Sequence, residues 1–311
     1  MKALVTGGAG FIGSHVVDLL LREDWVVRVL DNLSTGYRQN IAGKPVEFLE
    51  GDIRDAALVA DAIRGVDAVF HLAAHIGNVR SLAEPVSDSE VNAGGTVTVL
   101  DAAAKNSVTR FVYSSSAAIF GELEGTVVGE EHPQRPTSPY GVSKLAGEKY
   151  ALCYGRLSPM VVVCLRYFNV YGVNQRYDAY GNVIPIFAQR LHTGQPLTVY
   201  GDGEQTRDFV NAKDAARANL LAATKAQRSG VYNVGCGESI TINLLARLVQ
   251  DASGIRTKIE YAPPRDGEVL HCKADIRKLR EDLGFVPDSD IRRGLVEYFR
   301  WFAEDRSAPR G

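Results

Sequence analysis

Three residue types in this chain stand at a spacing that could move a proton on and off an alcohol oxygen. Tyr140-Gly-Val-Ser-Lys144 sets a phenol and an amine four residues apart, so in a helix they share one face, one turn from each other. The serine run Ser114-Ser115-Ser116 lies upstream. A free tyrosine has a pKa of roughly 10 and is a poor base at neutral pH. A cationic Lys144 held beside Tyr140 would stabilise the phenolate and lower that value. Ser116 would then hydrogen-bond the same substrate oxygen, completing an acid/base device for interconverting an alcohol and a ketone. Taken alone, the Tyr/Lys spacing is equally that of an ordinary helix surface pair. The N-terminus decides between the two readings.

There, Lys2-Ala-Leu-Val-Thr6 is a short β-rich run, followed at once by Gly7-Gly8-Ala9-Gly10-Phe11-Ile12-Gly13 and by a segment with helical apolar spacing, Ser14 to Arg22. Gly7 permits a tight turn, Gly10 lets the backbone approach a pyrophosphate, and Gly13 lets helix and strand pack closely, so that phosphates meet the free N–H groups of a helix N-terminus. In this strand–loop–helix context the glycines read as a dinucleotide loop. The next strand, Trp25-Val-Val-Arg-Val-Leu30, ends in Asp31. An acid there accepts from a ribose 2′-OH and repels a 2′-phosphate, which favours NAD over NADP, although Arg28 and Arg38 lie near. Asn32-Leu-Ser-Thr-Gly36 is either a plain turn or an adenosine contact through Ser34 or Thr35. The positive nicotinamide ring of such a cofactor would further favour a Tyr140 phenolate.

At 311 residues, 45% hydrophobic and 23% charged, the chain can bury a large core as one elaborated domain or two lobes. The formal net charge of −2, with no Lys/Arg run among aromatics, argues against nucleic acid as a partner. Cys153, Cys164, Cys236 and Cys272 form no CxxC pair and read as small buried residues in a reducing compartment. The histidines show no ligand pattern, so no metal site is expected. The first strand begins at residue 2, leaving no room for a signal peptide, and no apolar run approaches membrane-spanning length; a cytoplasmic protein is expected.

Strand and helix signals alternate through the first half. Strand runs at Val46–Leu49, Ala68–Leu72, Arg110–Tyr113 and Met160–Arg166 are separated by helical segments at Ala56–Arg64, Gly95–Lys105 and Tyr140–Leu157. That alternation predicts an α/β fold with a Rossmann-type, doubly wound parallel sheet and a smaller C-terminal lobe, with ligands at the strand C-terminal ends. The expected division is 1–171, rejoined by 208–235, for the cofactor, and 172–207 with 236–311 for the substrate. Gly172 to Gly203 reads as polar, glycine-rich turns, and a final helix is expected over Arg292–Glu304.

These motifs together resemble the extended short-chain dehydrogenase/reductase family, in particular its nucleoside-diphosphate-sugar 4-epimerases. The resemblance runs through Asp31-Asn32-Leu33-Ser34, Ser114-Ser115-Ser116-Ala117, Tyr140-Gly-Val-Ser-Lys144, Arg166-Tyr-Phe-Asn-Val-Tyr-Gly172, Gly201-Asp-Gly-Glu-Gln-Thr-Arg207-Asp208-Phe209 and Arg265-Asp-Gly-Glu268. It implies a cofactor set of Gly7, Gly10, Phe11, Ile12, Gly13, Asp31, Asn32, Ser34, Thr35, Gly36, Asp52, Ile53, Leu72, Ala73, Ala74, Asn92, Ser114, Tyr140, Lys144 and Tyr167. Catalysis would fall to Ser116, Tyr140 and Lys144, with Ser116 and Tyr140 also touching substrate. Asn169, Arg207 and Arg265 would hold a diphosphate, arginine suiting that task by its bidentate fork. Asn182, Val183, Leu197, Thr198, Val199, Tyr200 and Glu268 would lie around the nucleoside, and Cys272 near the sugar. Ile119-Phe120-Gly121 departs from the commoner Val-Tyr-Gly, removing a phenol expected near the sugar.

Sibling dehydratases carry Asp-Glu after the first active-site hydroxyl, and decarboxylases a Glu; Ala117 and Ala118 stand here and cannot move a proton. The resemblance therefore implies C4 epimerisation of UDP-hexoses through a transient 4-keto sugar, with N-acetylated sugars (UDP-GlcNAc, UDP-GalNAc) accepted beside UDP-Glc and UDP-Gal. A UDP-glucuronate epimerase, with Arg80 or Arg176 for the carboxylate, is the alternative reading, as is a net nucleotide-sugar oxidoreductase. A non-catalytic dinucleotide sensor would not need the full Ser, Tyr and Lys set. The family pairs through two long helices per subunit, so a homodimer is expected, with Val97, Val99, Leu100, Leu145 and Leu152 either facing a partner or lying in the core.

Overall fold

The computed structural model describes residues 1–177, 182–264, 269–288 and 290–307. Apolar, β-branched runs such as Ala3-Leu-Val5 and Val162-Val-Cys-Leu165 are fully buried on both faces, which is what a parallel sheet covered by helices on both sides requires. Seven such strands pair in parallel, in the order Gly230–Val234, Val161–Tyr167, Arg110–Ser116, Ala68–His71, Lys2–Thr6, Val26–Asp31, Val46–Glu50. Chain order reverses between Lys2–Thr6 and Ala68–His71, leaving a crevice at the carboxyl ends of those two strands.

Helix Phe11–Arg22 packs with helix Ala212–Lys225 on one face of the sheet, over Val5, Val163 and Leu165. Helices Ala56–Ile63, Thr96–Lys105 and Pro139–Leu157 cover the other, over Leu4, Val69, Phe111 and Cys164. A further core joins Tyr171, Phe187, Leu245 and Tyr298 from the later part of the chain.

The polar, glycine-rich reading of Gly172 to Gly203 misses two elements. Helix Val183–His192 and strand Leu197–Tyr200 form there because Ile184, Phe187, Ala188 and Leu191 recur at helical spacing and bury together. The helix Gly95–Lys105 expected from sequence begins instead at Thr96, after a π-helical turn over Glu90–Gly95. Within it a Cβ on Gly95 would lie 2.5 Å from Ile53 Cδ1, so this helix settles close on that side chain and a larger residue would have to displace it.

Glu148 and Arg166 lie buried between helix Pro139–Leu157 and the sheet. Arg166 donates through Nε and Nη2 to Glu148 at 3.0 and 2.7 Å, Ser115 Oγ donates to the same carboxylate at 2.7 Å, and Arg166 Nη1 reaches the Glu130 carbonyl. The Arg28 of the sequence reading is likewise structural: it donates to the carbonyls of Asp61, Ala62 and Arg64 and pairs with Glu47. Cys164 is buried as expected, but Cys153 is exposed.

Replacing Glu148 with Gln keeps its shape and strands the Arg166 charge. The variant is expected to lose about 3–5 kcal/mol of stability, read from denaturant unfolding, as when one partner of a buried pair is removed.

Candidate active site

Ser138 caps helix Pro139–Leu157, its Oγ accepting from Gly141 N at 3.2 Å, and Pro139 supplies a pre-set first position. Tyr140 thus enters in the first turn, with Lys144 one turn further along. On the neighbouring strand, alternation turns Ser115 inward to Glu148 and leaves Ser114 and Ser116 on the opposite face. Ser116 Oγ accepts from Ala118 N at 3.1 Å and lies near enough to the Tyr140 hydroxyl to favour its ionised form. Ser114 stands near Tyr167, whose hydroxyl accepts from Asn219 at 2.6 Å.

Lys144 is 3% exposed, and its ammonium stands 4.5 Å from the centroid of the Tyr113 ring. Burial brings its pKa down to about 8, against the opposing pull of Asp88, Cys164 and Glu148. Tyr140 behaves otherwise than the sequence suggests. Burial pushes its pKa above the ordinary value, nearby Ser116 opposes this, and the Asp88 charge raises it further. The protein's own groups therefore do not poise the phenol as a base.

Behind this pair lies His71, fully buried, with its pKa brought down to about 3 by burial and by Lys144. Thr96 Oγ1 gives its proton to the Asn92 carbonyl at 2.6 Å, so His71 Nε2 donates to Thr96 (2.9 Å) and Nδ1 accepts from Thr6 (2.7 Å). His71 is a neutral, satisfied core residue.

Asn92 ties the π-helical turn to its surroundings. Its Oδ1 accepts from His75 N at 2.8 Å, and its Nδ2 donates to the His75 carbonyl, to Asp88 and to Ser143. Ser143 donates in turn to Asp88. Asp88 and Ser143 escaped the sequence reading. The four-residue spacing of Asp88 and Asn92 was visible, but their meeting with another helix was not.

At the crevice, Gly7 has φ +71°, and a Cβ on it would lie 2.6 Å from Ala73 N; one on Gly13 would lie 2.0 Å from the Gly7 carbonyl. Gly10 is the extended N-cap of helix Phe11–Arg22, without a side-chain cap, so the first-turn N–H groups of that helix face outward. Asp31 accepts from Ala9 N (2.9 Å) and Leu33 N (2.8 Å), while Gly36 passes close enough that a Cβ would approach its carboxylate to 2.7 Å. Asp52 accepts from Asn32 and from the fork of Arg54, which holds its pKa down to about 2. Ile53 is buried beside it, and Arg38 is spent on Glu50 and the Phe48 ring. Leu72 N donates to the Thr6 carbonyl and Ala73 N to Thr6 Oγ1, which lays this segment, with Ala74, along the glycine loop. A clasp covers the loop: Tyr37 N and Asn40 Nδ2 both donate to the Ala9 carbonyl, Arg176 donates to Asn40 and bidentately to Asp305, and its guanidinium lies 3.9 Å from the Tyr37 ring centroid.

The residues matched to a nucleotide sugar are placed unevenly. Asn169 Nδ2 donates to the Asp208 carbonyl, and Arg207 donates to those of Thr206 and Leu270. Asn182 is the N-cap of helix Val183–His192 and Val183 its first residue. Leu197 and Val199 are fully buried, their side chains turned into the core; on the alternate face Thr198 accepts from Arg190 and Tyr200 is half-buried. Cys272, partly buried, packs by Ile119, Phe120 and Phe168, and burial pushes its thiol up to about 11. Phe120 is itself fully buried against His132 and Phe168. Arg265 and Glu268 lie outside the described residues. Among the described residues no cluster of metal-ligating side chains occurs, and no helix is long and apolar enough to cross a membrane.

Residues 3–235 match the model of the NAD dependent epimerase/dehydratase family. The chain belongs to that family. NAD is its cofactor, and the glycine cradle, the outward helix N-terminus and Asp31 fit a dinucleotide without a 2′-phosphate. Among similar proteins, the Thermus thermophilus UDP-glucose 4-epimerase, solved in complex with NAD, is 39% identical, with 97% of this chain and 99% of that one covered and a TM-score of 0.89. The UDP-N-acetylglucosamine 4-epimerase of Methanobrevibacter ruminantium, solved with UDP-N-acetylmuramic acid, is 35% identical, with 98% of each chain covered and a TM-score of 0.93. The dTDP-glucose 4,6-dehydratase of Streptomyces niveus is 34% identical over 99% of this chain and 94% of its own. The relatives thus include both 4-epimerases and a 4,6-dehydratase, and the residues around Ser116 must separate the two chemistries.

Proposed function

We propose that this enzyme epimerises UDP-hexoses at C4. The observation that carries the reading is the surroundings of the Ser116–Tyr140 pair: Ala117 and Ala118 follow Ser116 in a short 3-10 turn, where elimination of water would need an acid for the departing hydroxyl. Bound NAD supplies a hydride acceptor and a positive charge. Tyr140 takes the proton of the sugar 4-hydroxyl while Ser116 hydrogen-bonds the same oxygen, and Lys144 keeps a positive charge on the helix face they share. The resulting ketone presents its other face, and Tyr140 returns the proton as hydride returns to C4. Nothing is oxidised or reduced overall. Asn169, Arg207 and Arg265 anchor the diphosphate throughout, at the junction of 1–171 and 208–235 with the lobe of 172–207 and 236–311.

Arg176 is engaged with Asp305 and Asn40, and Arg80 pairs with Glu84 at 3.8 Å, which weakens the glucuronate reading. The enzyme incubated with UDP-glucose or UDP-N-acetylglucosamine should approach gluco/galacto mixtures by NMR, without added reductant and with no steady change in nicotinamide absorbance. Tyr140→Phe should still bind NAD and lose turnover by at least ~10²-fold. No interconversion, or near wild-type activity in that variant, refutes the reading.

N-acetylated sugars are accepted, on this reading, because Cys272 is small where the resembling epimerases have a tyrosine that crowds the C2 substituent; a void costs less than overlap. Cys272→Tyr should depress kcat/KM for UDP-N-acetylglucosamine far more than for UDP-glucose. An unchanged ratio removes Cys272 as the gate.

A homodimer is proposed through helix Pro139–Leu157 and the helical segment from Pro85 to Lys105, where of the residues first considered only Val97 is neither fully buried nor packed against the core. Val99 and Leu100 are fully buried, and Leu145 and Leu152 pack against the core. The exposed apolar side chains on these segments include Val86, Val142, Tyr150 and Leu157, at 70, 54, 49 and 80% exposure. A monomeric mass by light scattering at micromolar concentration would rule the pairing out.

A further inference from the structure

Asp88 is 2% exposed and, among the described residues, has no ion-pair partner; its oxygens accept from Ser143 and, at 3.0 Å, from Asn92. The other buried carboxylate near Lys144 is Glu148, already neutralised by the Arg166 fork. Burying an anion without a cation is costly, and here the fold accepts that cost beside the helix turn that carries Tyr140 and Lys144. Ser143 precedes Lys144 in the chain, and its hydroxyl also lies 3.1 Å from the Tyr140 carbonyl. The Asp88–Ser143 bond therefore grips the backbone between the two functional side chains.

We propose that Asp88 is a positioning residue for the Tyr140–Lys144 pair: through Ser143 it fixes the turn that carries them, and its charge balances the Lys144 ammonium. The proposal rests on the reading of Tyr140 as acid/base. The charge acts on both groups in one direction, favouring protonated Lys144 and protonated Tyr140. Without it, each gives up its proton more readily.

The groups facing this pair are few. Tyr113 on the strand Arg110–Ser116 lies under Lys144 and donates to its carbonyl; Cys164 and His71 approach from the neighbouring strands, Glu148 from the same helix, and Ser116 stands near Tyr140. His75, on the loop held by Asn92, also feels Asp88, and burial lowers its pKa.

Asp88→Asn keeps the side-chain shape and removes the charge. The pH profile of kcat for the NAD-loaded variant should move bodily towards acid, both limbs by about one unit, a tenfold change in proton affinity. The shift should persist in a His75→Asn background. A purely structural role would lower kcat at every pH and leave the limbs in place; that result, or loss of the shift with His75→Asn, overturns the proposal. Should Asp88→Asn not fold, Ser143→Ala decides. It cuts the grip and spares the charge, so kcat should fall at least ~10-fold with KM little changed, as expected when an interaction acts in the transition state alone. A kcat within twofold of wild type overturns the proposal. A dead Tyr140→Phe with unshifted Asp88→Asn limbs refutes this inference alone, whereas an active Tyr140→Phe refutes the reading beneath it.

Discussion

The distance between two secondary-structure elements governs this site: Ser116 ends a strand, and Tyr140 begins a helix that has no covalent reason to stay beside it. The buried bridge of Glu148 to Arg166 and Ser115 supplies that reason. Ser115 neighbours Ser116 in the chain, and Glu148 lies two turns beyond Tyr140 on the helix. A nonpolar contact of the same size would hold the helix to the sheet but would let it slide. Three directional, charge-assisted bonds fix its register, and the nearness of Ser116 to Tyr140 follows from it.

The cofactor end of the crevice is held by absence of side chains. Gly7, Gly10 and Gly13 allow strand, loop and segment 72–74 to approach until added methyl groups would overlap backbone. This half was legible in the sequence, because glycine spacing encodes local geometry directly and the strand–loop–helix unit is contiguous. Six strands of the parallel sheet were legible for a similar reason, most of them buried apolar runs separated by helix-length segments; the edge strand Gly230–Val234 was not.

What depends on side chains meeting across elements was harder to read. Tyr140 and Lys144 were visible as a pair, but the Tyr113 ring under Lys144 and the Asp88 charge behind both come from other segments, and with them the direction of the Tyr140 shift. The π-helical turn over Glu90–Gly95 has no signature in propensity; it is set by Asn92 reaching His75, Asp88 and Ser143 together. Leu197 and Val199 show the opposite difficulty. A motif match points to a segment, and strand alternation then turns every second side chain into the core.

The Arg176–Asp305 clasp bears on how the protein is made. The glycine loop and Asp31 leave the ribosome early, yet the cover over them, Tyr37 and Asn40, is fastened by an arginine whose carboxylate partner is translated more than a hundred residues later, at Asp305. A nascent chain carries the whole phosphate cradle while its lid is still unlatched. The cover over the cradle is thus complete only once helix Ile291–Ser307 has docked, and its fastening depends on a segment far away in the chain.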